Sequence, residues 1–91
     1  MTIIKKDGRK EEFKLSKVKK AITSAMKAGS GVYYPKIAAI IADEVETKFA
    51  KKEEVKNEDI DKFIIKQLNE YGQQLTAVAY EKYKLTKFYQ K

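Results

Sequence analysis

The chain has 91 residues, of which 36% are charged and 43% are hydrophobic, and its formal net charge is +7. This length allows one domain with a modest core, and the composition is that of a folded protein rather than a disordered tail. Cysteine and histidine are both absent, which excludes disulfides, thiolate metal sites and nucleophile arrangements that need a histidine base. We therefore expect no enzymatic activity and a cytoplasmic location.

The chain opens with a predicted β-hairpin over residues 2–14. The segments TIIKK and RKEEFK flank Asp7-Gly8, and we expect these two residues to form a type I′ loop in which both have positive φ. The apolar residues of the hairpin are Ile3, Ile4 and Phe13. Basic residues surround the loop at positions 5, 6, 9, 10, 14 and 17. A hairpin turn does not require this charge, and two interpretations are open at this point: the binding of an anion, or solubility alone.

Four amphipathic helices follow the hairpin, and their predicted ranges are 16–28, 35–51, 58–71 and 74–88. Ser16 and Asn57 are the predicted N-caps of the first and third helices. Pro35 suits the first turn of the second helix, and Gly72 suits the C′ position of the third. The first three helices can therefore each be given a start or an end from residues that favour such positions.

The fourth helix is predicted to bury one side, formed by Leu75, Val78, Ala79 and Tyr83. The segment 54–56 is a candidate third strand beside the hairpin. Together the elements predict an α+β, predominantly helical fold in a single domain over residues 1–91. Its architecture is a four-helix bundle capped by a small β-hairpin or three-stranded sheet.

Three segments resemble the ATP-cone domain family. IIKKDGRKEEFKLSKVKKAI is similar to the family signature V-x-K-R-D-G-x-x-x-x-F-D-x-x-K-I-x-x-A-I. VKNEDIDKFIIKQL resembles the strand that leads into the family's third helix, and TAVAYEKYKLTK resembles its closing helix. The resemblance extends from Ile3 to about Lys87. The chain departs from the pattern at Lys6, where arginine is usual, and at Lys14, which replaces an aspartate or asparagine.

The resemblance implies a regulatory domain that binds ATP or dATP as an effector, with or without Mg²⁺, and has no catalysis of its own. Such domains control the activity or oligomeric state of ribonucleotide reductases, either within a reductase subunit or within a repressor of reductase genes. The implied partners are adenine nucleotides and ribonucleotide reductase subunits or the rest of a parent chain, and homo-oligomers are also allowed. The domain can act in cis or in trans.

The resemblance also implies a set of nucleotide-binding residues: Ile3, Lys5, Lys6, Glu11, Lys14, Lys17, Asn57, Asp61, Lys84 and Lys87. Lysines that converge from the hairpin and the helices can offset the roughly four negative charges of a triphosphate. Simpler interpretations stay open. Lys5 and Lys6 can be solvated strand residues that discourage edge pairing. Glu11 can be an ion-pair partner rather than an acceptor for the adenine amine, and Asn57 can be a helix cap alone.

Two other functions remain compatible with the sequence. The charge of +7 suits a small basic nucleic-acid-binding domain, but the basic residues are spread over every element instead of one recognition helix. Nucleic acid is therefore an unexpected partner. The second alternative is a domain that serves protein interaction only. A membrane partner is not expected, since no apolar run approaches the roughly 18 residues that span a bilayer.

Overall fold

The computed structural model describes the backbone of residues 1–89 and the side chains of residues 1–84. Its elements in chain order are β1 (Thr2–Ile4), β2 (Lys10–Glu12), α1 (Leu15–Ala28), α2 (Pro35–Phe49), β3 (Glu54–Lys56), α3 (Asn57–Glu70) and α4 (Gln74–Tyr89). They confirm the predicted α+β, mostly helical fold with a small mixed sheet. None of the helices in this described part is both long and apolar enough to cross a bilayer.

The three short strands form one sheet in the order β2-β1-β3. The central strand β1 pairs antiparallel with β2 and parallel with β3, and Ile3 stands opposite Glu11 on one side and Val55 on the other. Ile3 and Val55 are both buried and belong to the hydrophobic core. The sheet is therefore fixed to the helices through its middle residues, and the strand predicted at 54–56 is confirmed.

The hairpin loop differs from the predicted type I′ turn. The Lys5 N–H donates to the Arg9 carbonyl at 2.7 Å, and the Gly8 N–H donates to the Lys5 carbonyl at 2.9 Å. Lys6, Asp7 and Gly8 thus form a three-residue loop, in which only the glycine has a positive φ, of 91°. The Asp7 carboxylate accepts hydrogen bonds from the backbone N–H and the Nε of Arg9. These bonds close the loop without a second left-handed residue.

Both predicted N-caps are wrong. The N-cap position of α1 is occupied by Lys14 and that of α3 by Lys56. Each of these helices follows a strand almost directly, so the extended backbone ends before the polar residue that capping rules select. Ser16 therefore lies inside the first turn of α1. Asn57 is the first residue of α3, and its side-chain amide donates to Asp61 at 3.3 Å.

The two other terminus predictions are confirmed. Pro35 is the first residue of α2, where its missing N–H costs nothing. Gly72 follows α3 with a φ of 75°. The Gln73 N–H next to it donates to the Leu68 carbonyl at 2.8 Å, a bond of the Schellman type that ends the helix and turns the chain toward α4.

The helices pack around one core, whose largest fully buried side chains are Tyr80, Ile22, Met26, Ile41, Ile64, Leu68, Val45 and Thr76. The predicted buried side of α4 is wrong in three of its four members. Leu75, Val78 and Tyr83 are each more than half exposed, and only Ala79 packs partly against the core. Apolar residues occur on both sides of this helix, so their periodicity does not set its rotation.

The rotation of α4 coincides with a close backbone contact at its first turn. A Cβ atom at Gly29, which follows α1, would lie only 2.5 Å from the Leu75 carbonyl oxygen. Glycine lets the two backbones approach this closely. Thr76, the residue after Leu75, is fully buried. Its hydroxyl donates to the side chain of Gln73 at 3.2 Å, which gives this buried polar group the partner that it requires.

Candidate functional site

A cleft of about 460 Å³ lies where the sheet meets the helix bundle. The hairpin forms one wall, the first turns of α1 form another, and α3 and α4 close the remaining sides. This volume is in the range of small-molecule sites. The elements that form the cleft come from distant parts of the chain, so the fold as a whole creates it.

The inner lining of the cleft is apolar. Its described apolar residues, apart from two tyrosines of α4, are Ile3, Phe13, Val18, Ala21, Ile60 and Ile64. Val18 and Ala21 lie three residues apart on α1, and Ile60 and Ile64 lie four apart on α3, so each pair occupies one helix face. A flat aromatic group such as a nucleobase can pack its faces against a lining of this kind.

Lysines dominate the charge of the cleft. The described lining includes Lys5, Lys14, Lys17, Lys20 and Lys84. Its carboxylates are Glu11, Glu12 and Asp61. The excess of positive charge beside an apolar lining favours an anionic ligand over a neutral or cationic one.

Glu11 lies between two of these lysines. The Lys5 ammonium is 3.1 Å from one carboxylate oxygen, and the Lys17 ammonium is 3.1 Å from the other. Hydrogen bonds from Lys17 and Lys5 lower the pKa of Glu11 to about 2, so the carboxylate is ionised at neutral pH. The structure thus confirms that Glu11 is an ion-pair partner of neighbouring lysines. Its contact with an adenine amine stays a prediction.

Asp61 forms a second polar cluster inside the cleft. The Tyr80 hydroxyl donates to one of its oxygens at 2.8 Å, the Asn57 amide donates to the other at 3.3 Å, and the Lys84 ammonium is 3.6 Å away. Burial raises the pKa of Asp61 above its usual value, although Lys84 and Tyr80 act against this rise. Burial, and then the Asp61 carboxylate, raise the pKa of the Tyr80 phenol.

The cleft brings together most of the residues assigned from the sequence. They are Ile3, Lys5, Glu11, Lys14, Lys17, Asn57, Asp61 and Lys84. Lys6 lies in the exposed hairpin loop, outside this lining, and its charge acts on Glu58 of α3, whose pKa is lowered mainly by Lys62. The side chain of Lys87 falls outside the described residues.

Besides Glu12 of β2 and the apolar lining residues, four residues on helices line the cleft and were absent from the sequence assignment: Lys20, Ser24, Tyr80 and Tyr83. Their helical spacing from assigned residues is a signal that could identify them. Ser24 lies seven residues after Lys17 on α1, and Tyr80 lies four residues before Lys84 on α4, so each pair shares a helix face. The choice between such neighbours still depends on helix rotation, which the sequence did not predict for α4.

A second cleft, of about 470 Å³, lies between α2 and α3. Its described lining is Ile40, Asp43, Glu44, Thr47, Lys48 and Phe63. Glu44 already accepts hydrogen bonds from the Gln67 amide at 3.0 Å and the Tyr71 hydroxyl at 2.7 Å. With two carboxylates and one lysine, this surface disfavours phosphate groups. The cleft at the sheet is therefore the better candidate for an anionic ligand.

Comparison with known proteins agrees with the geometry of the cleft. The model of the ATP cone domain family matches residues 1–87 of the chain. A search of curated proteins finds no match. The match spans the hairpin, α1, α2, β3, α3 and most of α4, which includes every described residue of the cleft. The chain therefore belongs to the ATP-cone domain family, whose members are in general nucleotide-binding regulatory domains.

Proposed function

We propose that the cleft binds ATP or dATP, with the triphosphate against the lysines of the hairpin and α1 and the adenine against the apolar lining. The observation that supports this most directly is the convergence of Lys5 and Lys17, whose ammonium groups lie 3.1 Å from the two oxygens of one carboxylate. Two cations held this close together offer paired charge-assisted contacts to phosphate oxygens. Lys14 and Lys20 add positive charge along the same wall.

The polar groups inside the cleft would orient the nucleoside. The Asp61 carboxylate and the Asn57 amide lie among the apolar lining residues, where a hydrogen bond to a ribose hydroxyl or to the adenine amine is protected from water. Glu11 is the alternative acceptor for the amine. Lys84 contributes positive charge from the opposite wall while it balances the charge of Asp61.

Any Mg²⁺ in this site would be held mainly by the nucleotide. Within the described residues there is no group of three or more side chains of the kinds that hold a metal ion, and the carboxylates of Glu11 and Asp61 already face lysines. Mg²⁺ commonly binds through phosphate oxygens and water. Its role here would be to neutralise part of the triphosphate charge that the lysines do not reach.

Nucleotide binding would regulate a ribonucleotide reductase, through contact with a reductase subunit, with the rest of a parent chain or with another copy of the domain. This proposal is supported by the family membership. A ligand can shift such contacts only through its different affinity for the two arrangements of the domain. Val32, Tyr33 and Tyr34, in the loop between α1 and α2, are each more than 40% exposed and are candidate contact residues.

Calorimetric titration of the protein with ATP and with dATP tests the binding step. We expect dissociation constants between millimolar and micromolar, corresponding to about 4–8 kcal/mol. The double variant Lys5→Ala/Lys17→Ala should weaken binding at least about tenfold, because it removes both converging charges. Lys66→Ala, an exposed lysine of α3 outside the cleft, is the matched control. Lys6→Ala should have a smaller effect than the double variant.

A second experiment tests regulation and the alternative functions. The protein is combined with a purified ribonucleotide reductase, and turnover and sedimentation are measured with ATP and with dATP. A nucleotide-dependent change in either quantity supports the proposal. Unchanged turnover and unchanged sedimentation would leave a nucleotide-binding domain without a reductase role. A DNA mobility shift together with absent nucleotide binding would favour the nucleic-acid-binding alternative.

A further inference from the structure

Glu11 contacts both of the ammonium groups that the proposed function assigns to the triphosphate. Its two oxygens accept separately from Lys5 and Lys17, each at 3.1 Å, and all three residues line the cleft. About one third of each of the Glu11 and Lys5 side chains is exposed, and Lys17 is more exposed still. A ligand from solvent can therefore reach both ammonium groups.

We propose that Glu11 is a specificity-determining residue: its carboxylate competes with ligand phosphates for Lys5 and Lys17, so that only a ligand with several phosphate groups displaces it. This inference rests on the proposed binding of nucleoside triphosphates in the cleft. A ligand would then bind only if its attraction to Lys5 and Lys17 exceeds that of the Glu11 carboxylate. A single phosphate or sulfate ion would only replace the Glu11 carboxylate by another anion, so its binding free energy would be small. A triphosphate carries further negative charge, which the other lysines of the cleft can also bind.

The geometry favours competition over simple neutralisation. Lys5 extends from the end of β1, Glu11 stands on β2, and Lys17 belongs to the first turn of α1. The carboxylate thus joins three elements at one point of the cleft wall. A phosphate group that bridges Lys5 and Lys17 as the carboxylate does would take its place, because the donors that now face Glu11 would turn toward the phosphate oxygens. Displaced Glu11 would turn toward solvent or toward another part of the ligand.

The experiment compares Glu11→Gln with Glu12→Gln. Both variants remove one negative charge from neighbouring residues that line the cleft, but the ion pair of Glu12 is with the amino terminus, at 3.9 Å. Binding of ATP and of inorganic tripolyphosphate is measured by calorimetry for the parent and both variants. We expect Glu11→Gln to bind tripolyphosphate about fivefold more tightly, as the loss of two exposed ion pairs predicts, and Glu12→Gln to change affinity less than about twofold.

The outcomes separate the inference from the function on which it rests. Tighter binding of tripolyphosphate to Glu11→Gln alone supports competition. Weaker binding to Glu11→Gln would mean that the carboxylate positions the lysines, and equal gains in both variants would mean a general charge effect. Either result overturns the inference while the parent still binds ATP. Absent binding of ATP and tripolyphosphate to all three proteins would overturn the proposed function and the inference together.

Discussion

Replacement of Gly29 by alanine tests the contact between α1 and α4, the two helices that form facing parts of the cleft. Gly29 has a φ of −84° and a ψ of −88°, and this ψ lies beyond the helical region that alanine favours. The usual gain from replacing glycine by alanine, which comes from restricting the unfolded chain, is therefore not expected here. The structure predicts a loss of stability, since the added Cβ would lie 2.5 Å from the Leu75 carbonyl oxygen and 2.8 Å from its carbon.

The size of the effect follows from these distances. Ordinary contact begins at 3.4 Å, and both opposing atoms belong to backbone, so the start of α4 must move away. Overpacking of this kind costs about 1–3 kcal/mol. A loss of this size lowers the Tm of a domain of this length by about 4–24 °C.

Thermal unfolding of Gly29→Ala and of the control Gly31→Ala measures this effect. At Gly31 an added Cβ meets open space, but the φ of 79° makes alanine cost about 1–2 kcal/mol through backbone strain alone. Both variants should therefore have a lower Tm than the parent. Only Gly29→Ala should also weaken ATP binding, because it displaces α4, which carries cleft residues. A Tm of Gly29→Ala equal to or above that of the parent would refute the reasoning.

Three further predictions concern the polar clusters and the core. Tyr80→Phe should lower the free energy of unfolding by about 1.5–3 kcal/mol at neutral pH, since it removes a donor from the largely buried carboxylate of Asp61. Denaturant titrations in acidic buffer should show a smaller loss, because the raised pKa of Asp61 means that the folded protein takes up this proton before the unfolded chain does as the pH falls. The Glu11 carboxyl should titrate by NMR near pH 2, and Lys17→Met should raise this value. Ile41→Ala, at a fully buried position, should cost about 2–5 kcal/mol in chemical denaturation, and a loss below 1 kcal/mol would contradict the described core.

The element order and the basic residues around the hairpin could be predicted from the sequence because they depend on local patterns. The hairpin follows from an Asp-Gly loop between segments that carry Ile3, Ile4 and Phe13. Lys5 and Lys14 lie close to that loop in the sequence. Such features are fixed by neighbours in the chain. The family resemblance then connected the hairpin with Asn57 and Asp61, which no local pattern brings near it.

The error in the buried side of α4 concerns a feature that tertiary contacts decide, whereas the errors in the hairpin loop and the caps are local. Leu75 and Val78 have the periodicity of a buried face, yet the close approach at Gly29 accompanies a different rotation of α4. Ser16 is a good cap by residue type, but the chain is already helical there because β2 leads straight into α1. The partners of Glu11 could not be read from spacing either, since Lys5, Lys10 and several other lysines lie within reach of it in sequence.

The sheet and the cleft each combine residues from the first half and the second half of the chain. β1 pairs in parallel with β3, about fifty positions later in the chain, and the described cleft residues come from before Ala25 and after Lys56. Long loops must close before such contacts form, so a growing polypeptide would complete the cleft only after α3 and α4 have emerged. A bound nucleotide would then oppose opening of the entire domain, by about 2.7 kcal/mol at a hundredfold excess over Kd. Hydrogen exchange should consequently slow in α2 as well as in the walls of the cleft.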